Sequence, residues 1–378
     1  MHFKSPYFLR LATLSFWILM IAVALHYFFK PKDTIGFRQY RTLASFQKGK
    51  SQTPYNRATE PFTPIVDTHV HFRPFGGKEI PFKELLTYFK KTSVRFVNVY
   101  GIGQRVPISS DCTYYLDCPN TPVLPTIKND MANAEAFIHN KPEDIHLVIS
   151  MTFPDLSHPD KILEIMKLYE KEYPGIFKWM GEVNLIKQAL LNNLHEPASL
   201  EDIKAWKGFM DALAKNNIPL NIHSDLGNDA NPTEFLYLMD AVLNTYPNNK
   251  IIWAHMGLSK ELVHMNPDKH IELMQEYLDR FPNLMLDISW DILEKNYFSK
   301  YRSRYVDFFN AYSTRILPGS DFVAASTKNF IVYREELQRT SAIVEFLDDR
   351  AFRNIALGEN YFQLLGLDYE APPIVQAE

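Results

Sequence analysis

The 378-residue sequence has little net charge: 40 Lys and Arg stand against 44 Asp and Glu, leaving a formal charge of -4. Without a basic stripe there is no electrostatic case for a nucleic-acid partner. Cysteine is nearly absent; Cys112 and Cys118 are the only two. They lie in the stretch DCTYYLDCPN, which lacks both CxxC spacing and neighbouring ligands, so a zinc site built on this pair alone is disfavoured. Two readings are left, a small disulfide loop in an oxidising compartment or a pair of free thiols, and we expect the disulfide. There is no Asn-x-Ser/Thr sequon and no short-period repeat, so neither glycosylation nor a solenoid is indicated. Disorder is excluded by a composition that is 46% hydrophobic and 22% charged.

Long apolar runs are also scarce, with one exception. Leu11 to Phe29 reads LATLSFWILMIAVALHYFF, free of Asp, Glu, Lys and Arg, and is bounded by Arg10 and Lys30. At about 1.5 Å per residue this helix would nearly cross a hydrocarbon layer of about 30 Å. We expect an uncleaved membrane anchor over residues 1–30, with a cleaved signal peptide or a buried helix as alternatives. The apolar run continues past the weak cleavage signal at Ala22–Ala24. A run so near the N-terminus implies an extracytoplasmic, periplasmic barrel, or a secreted one if it is cleaved. Yet Lys30, Lys32, Arg38 and Arg41 follow it and only Lys4 and Arg10 precede it, a count that favours a cytoplasmic-facing chain. Residues 31–60 are polar and aperiodic and read as a linker. A short tail is expected at 371–378.

From Thr63 onward, short β-branched apolar runs alternate with segments of helical spacing. Strands are expected at Ile65–His71, Val94–Tyr100, Ile145–Met151, Phe177–Val183, Pro219–His223, Ile251–His255, Leu284–Ile288 and Ile316–Gly319. Helical patterns fall between them, among them Phe82–Lys91, Leu200–Lys215 and Ile271–Phe281. Eight strands separated by helices make an α/β fold, a (β/α)8 TIM barrel over residues 61–370 preceded by one N-terminal transmembrane helix. The 27 Phe and 20 Tyr can fill its core and line a pocket.

Polar residues end these strands in a pattern. In Ile65-Val-Asp-Thr-His-Val-His71, period-two alternation turns His69 and His71 to one face, where two imidazoles can chelate an ion. Asp67 is one step further along that face, placed to orient a ligand. Glu182, His223, His255 and Asp321 end the fourth, fifth, sixth and eighth strands. In a parallel barrel all these ends meet at one mouth. A lone histidine after an apolar run is more often a satisfied core residue. Four histidines, a Glu and an Asp at five strand ends instead form a set suited to zinc or a similar divalent ion.

With these residues in place, the sequence resembles the amidohydrolase superfamily, in particular its amidohydrolase-2 branch of TIM-barrel metal-dependent hydrolases. DTHVH, IHSD, AHMG, PGSDF and the closing LGENYFQLLGL carry the likeness, from about Thr63 to Leu367. It implies that His69, His71 and Asp321 hold a metal, with His223 as a further ligand. Two versions follow. In the favoured one, Glu182 bridges two ions and His223 and His255 bind the second. In the other, a single ion takes His223 and leaves His255 as an acid/base or polarising group. Asp321 would serve as proton acceptor. Lys178, expected deep in the barrel, is not read as a bridge.

The long loop from Gly101 to about Asp130 reads as a lid. Arg105, Tyr114 and Tyr115 on it, with Trp290 after the seventh strand, are substrate-contact candidates. The implied activity is hydrolysis of an amide, ester, lactone or phosphoester in a small molecule. A one-metal non-oxidative decarboxylase or lyase is the runner-up, and a non-catalytic membrane-anchored binding protein the third reading. Nothing in the sequence indicates an oligomeric state.

Overall fold

A computed structural model describes residues 41–107 and 109–375. Eight parallel strands form one curled sheet, each flanked on both faces by buried residues, as expected where helices cover the outside. They are β1 (Val66–His71), β2 (Phe96–Tyr100), β3 (His146–Met151), β4 (Phe177–Ile186), β5 (Leu220–Ser224), β6 (Ile251–Trp253), β7 (Leu284–Asp287) and β8 (Ile316–Leu317). A ninth piece, β9 (Phe322–Val323), follows β8 after four residues. The sheet order is β8-β7-β6-β5-β4-β3-β2-β1-β9. Its two ends are therefore neighbours in sequence, and the break between them carries Pro318-Gly319-Ser320-Asp321. An α/β fold whose parallel sheet closes through a broken eighth strand fits a (β/α)8 barrel.

All eight expected strands form, with edges shifted by one to three residues. The sixth is the informative difference. Its hydrogen bonding stops at Trp253 because His255 and Met256 take left-handed φ angles of 54° and 53°. The helix expected from Ile271 begins earlier, at Pro267, because Asn266 caps it by accepting from the Asp268 and Lys269 amides.

The stretch expected as a linker is, over Arg41–Glu60, part of the same compact unit as the barrel. Phe46 and Tyr55 are buried, and Phe46 packs edge-on against Phe96 at the start of β2, with ring centroids 5.6 Å apart. The expected tail is also engaged where it is described: Ala371 is fully buried and Ile374 bridges to Tyr55. Aromatic side chains in a polar context gave this segment its anchors. The apolar run Leu11–Phe29 lies outside the described residues, and no described helix is long and apolar enough to cross a membrane.

The Gly101–Asp130 loop is ordered around its own small core of Val106, Cys112, Tyr115, Val123 and Leu190. Gln104–Arg105 pairs antiparallel with Leu124–Pro125. Cys112 and Cys118 form the expected disulfide, with Cα atoms 6.1 Å apart. Asn193 ties the loop to the segment after β4, its amide donating to the Cys118 and Thr121 carbonyls at 2.8 and 2.9 Å.

Candidate metal centre

His69 and His71 project from the end of β1, and their Nε2 atoms lie 3.1 Å apart. The protons on these rings can be assigned from their other nitrogens. His71 Nδ1 lies 2.7 Å from the Gly101 carbonyl, which can only accept, so Nδ1 carries the hydrogen and Nε2 a lone pair. His69 Nδ1 donates to Asp287 Oδ2 at 2.6 Å, which orients its Nε2 in the same way.

Two carboxylate oxygens join these lone pairs. Asp321 Oδ1 lies 3.5 Å from His69 Nε2 and 3.3 Å from His71 Nε2. Glu182 Oε2 lies 3.7 and 3.3 Å from the same atoms. Two imidazole nitrogens and two carboxylate oxygens able to ligate a metal ion thus gather here. Ligands about 2.0–2.2 Å from a tetrahedral ion stand about 3.3–3.6 Å apart, so these separations fit a divalent cation. His69, His71 and Asp321 form one group able to hold a metal ion, and His69, Glu182 and His255 a second.

Backbone shape aims these groups. His255, Trp290 and Asp321 have φ angles of 54°, 81° and 55°, costly for residues with a Cβ and concentrated here at one site. Before Glu182, Gly181 takes φ 108°, where a Cβ would lie 2.1 Å from the Asn221 carbonyl oxygen. His255 Nδ1 donates to the Ser289 carbonyl at 3.2 Å, leaving Nε2 aimed at Glu182 Oε1, 3.7 Å away.

Charges in this buried cluster support one another. Burial opposes a charged His69, but Asp287, Glu182 and Asp321 outweigh it and raise its pKa to about 10, so its Nε2 holds a proton that a bound metal ion would displace. Burial would likewise lift Glu182, yet Lys187 and His223 hold it well below the usual carboxylate range. His71, His69 and His255 likewise hold Asp321 low, against the opposing effect of burial.

His223 was expected as a ligand; here its Nδ1 meets Glu182 Oε1 and its Nε2 meets Asp225 Oδ1 at 2.9 Å. It clamps Glu182, and as a metal ligand it would exchange one of these contacts for the ion. Asp67 acts on a ligand through the backbone rather than by touching a ligand ring on its own strand. The register shifts between Asp67 and Val70, breaking the period-two alternation. Asp67 instead accepts from the Ser320 amide at 2.8 Å and the Tyr333 hydroxyl at 3.1 Å, fixing the turn that carries Asp321. Burial pushes its carboxyl up to about 6.

Above the donors opens a cavity of about 470 Å³, whose wall includes Phe75, Tyr114, Tyr115, Lys187, Lys260 and Trp290. Tyr114, Tyr115 and Trp290 thus line the pocket as expected. Arg105 does not; its guanidinium donates to the Gly77 carbonyl at 2.9 Å within the antiparallel ribbon. Lys178 is exposed, not deep in the barrel. Three site residues were missed. Asp287 ends the seventh strand as His71 ends the first, so the same signal would have found it. Lys187 and Asp225 each follow a strand end by one residue.

The family model described as Amidohydrolase matches residues 132–358. The chain belongs to the amidohydrolase family. It is an enzyme of the amidohydrolase superfamily, and the reading as a non-catalytic binding protein is set aside. No curated protein matches the sequence. Among solved structures, an amidohydrolase from Burkholderia multivorans with bound zinc is 11% identical, with a TM-score of 0.50 over 80% of this chain and 99% of that one. Dihydroorotase from Campylobacter jejuni is 15% identical, with a TM-score of 0.44 over 81% and 83%. The 5-carboxyvanillate decarboxylase from Novosphingobium aromaticivorans, complexed with manganese, is 10% identical, with a TM-score of 0.43 over 80% and 96%. At these identities the first likeness speaks to the amidohydrolase fold alone.

Proposed function

We propose that this amidohydrolase uses a divalent metal to hydrolyse an amide, ester, lactone or phosphoester bond in a small molecule. The observation that carries the reading is the convergence of His69 Nε2, His71 Nε2, Glu182 Oε2 and Asp321 Oδ1, atoms able to ligate a metal ion, beneath a cavity of about 470 Å³. A divalent ion held there would lower the pKa of a water and polarise the substrate's carbonyl or phosphoryl oxygen. Zinc is the ion we favour, since two imidazoles and two carboxylates suit it.

The chain's own groups carry the remaining work. Asp321 stays ionised among the histidines, and its Oδ2 takes a proton from the attacking water and returns it to the leaving group. His255, oriented by Ser289, presents Nε2 as a further proton acceptor at the pocket floor. Phe75, Tyr115 and Trp290 supply apolar walls that orient the substrate. Asp321→Asn should abolish turnover across a panel of esters, lactones, amides and phosphoesters while circular dichroism stays unchanged; retained turnover would refute the reading.

A second reading, non-oxidative decarboxylation, draws support from the group His69, His71 and Asp321, which can hold one ion without a bridging Glu182. Release of CO2 from an aromatic acid, with no ester hydrolysis, would replace the hydrolase reading. We also infer that the barrel works outside the cytoplasm, anchored by Leu11–Phe29. The Cys112–Cys118 bridge supports this, because such bridges persist in oxidising compartments. Recovery of both cysteines as free thiols after acid trapping from cells would overturn it.

A further inference from the structure

Glu182 divides its two carboxylate oxygens. Oε2 faces His69 and His71. Oε1 faces the other way, toward His223 Nδ1, His255 Nε2 at 3.7 Å and Lys187 Nζ at 3.2 Å. A carboxylate bridging two ions would be divided in the same manner. Here the second side already holds a cation that is part of the chain. Lys187 directly follows β4, its side chain is 10% exposed, and its ammonium lies 5.9 Å from the centroid of the Phe75 ring. An ammonium has three donors and no lone pair, so it can neutralise Oε1 but cannot ligate an ion.

We propose that the Lys187 ammonium occupies the position a second metal ion would need, and that this lysine limits the site to one divalent ion. The inference rests on the reading that His69, His71, Glu182 and Asp321 hold that ion. A second dication beside Oε1 would meet the fixed positive charge in a buried, weakly screened setting. The favoured expectation of two ions bridged by Glu182 is thereby replaced: the bridging shape exists, and a lysine stands at its far end.

The test is metal stoichiometry, which does not depend on turnover. The full chain is stripped with chelator, equilibrated with Zn2+ at one fixed free concentration, and analysed for bound zinc. A His69→Ala/His71→Ala double variant sets the background. Wild type should bind one equivalent above background, Lys187→Met two, and Lys187→Arg one. Should Lys187→Met fail to fold, Lys187→Gln, neutral and less apolar, carries the same expectation of two. Two equivalents in wild type, or one in the folded neutral variants, would overturn the proposal while leaving the metal-site reading intact. Wild type at background would overturn that reading, and the proposal with it.

Discussion

His69 Nδ1 lies 2.6 Å from Asp287 Oδ2, and both groups are fully buried. Asp287 is held in turn by the Ser289 amide, which donates to its Oδ1 at 2.6 Å. Because the carboxylate fixes which nitrogen of His69 carries the proton, it decides that Nε2 is free to bind an ion. Loss of such a partner typically costs about 10–100-fold in metal affinity. Asp287→Ala should therefore weaken zinc binding by about that factor in competition with a chromogenic chelator. Unchanged affinity would mean that packing and the Ser289 hydroxyl, 3.1 Å from the same nitrogen, suffice to orient His69.

His270 lies behind the site. Its Nε2 donates to the Met256 carbonyl at 3.0 Å, and its Nδ1 accepts from the Tyr305 hydroxyl at the same distance. The ring thereby braces the left-handed turn that aims His255. Burial lowers its pKa from 6.5 to about 4. The folded protein thus keeps His270 neutral where the unfolded chain would protonate it. Its contribution to stability is complete above about pH 6.5 and is lost as the pH falls toward 4, by on the order of 3 kcal/mol in total. Urea unfolding of His270→Gln at pH 7.5 and 4.5 should show a flatter pH dependence than wild type. Parallel pH profiles would count against a neutral buried ring.

The order of elements was legible because parallel strands buried on both faces read as apolar runs, and every such run from Ile65 to Leu317 became a strand. His69, His71, Glu182, His255 and Asp321 were legible for a related reason: polar residues ending those runs must meet at the barrel mouth. What could not be read is which atom each side chain offers. His223 follows the same rule as His255, yet its nitrogens face Glu182 and Asp225, and that depends on side-chain placement. Lys187 was hidden because β4 runs three residues beyond its expected end at Val183, so the lysine did not look like a strand-end group. Arg105 was misjudged because a loop long enough to be a lid also contained a ribbon that used its guanidinium.

The Cys112–Cys118 bridge closes a short loop that carries Tyr114 and Tyr115 into the pocket wall. Tyr115 packs edge-on against Phe75, with centroids 4.4 Å apart, so the lid and the pocket floor share an aromatic contact. The bridge belongs to the small lid core rather than to the barrel core. Reduction should therefore act locally. Amide exchange should accelerate over residues 101–126 and KM should rise several-fold, while the main thermal transition moves by no more than a few degrees. Global unfolding on reduction would show that the lid core supports the barrel.

Lysines on the pocket wall differ in how they are compensated. Lys187 meets Glu182, and Lys328 meets Glu336 at 2.9 Å. Lys260 instead meets the Tyr114 hydroxyl at 3.1 Å, and its ammonium stands 5.6 and 5.8 Å from the Tyr114 and Trp290 ring centroids. Ring faces and a phenol hold a cation without neutralising it, so Lys260 keeps its charge available at the pocket wall. A substrate bearing a carboxylate or phosphate would gain a charge-assisted hydrogen bond there, worth about 1.5–3 kcal/mol. Lys260→Met should then raise KM for anionic substrates by roughly 10–100-fold, with kcat nearly unchanged, because the contact is the same in the ground state and the transition state. Neutral substrates of similar size should be unaffected. An equal rise for both would reassign Lys260 to holding Tyr114 and Trp290 in place.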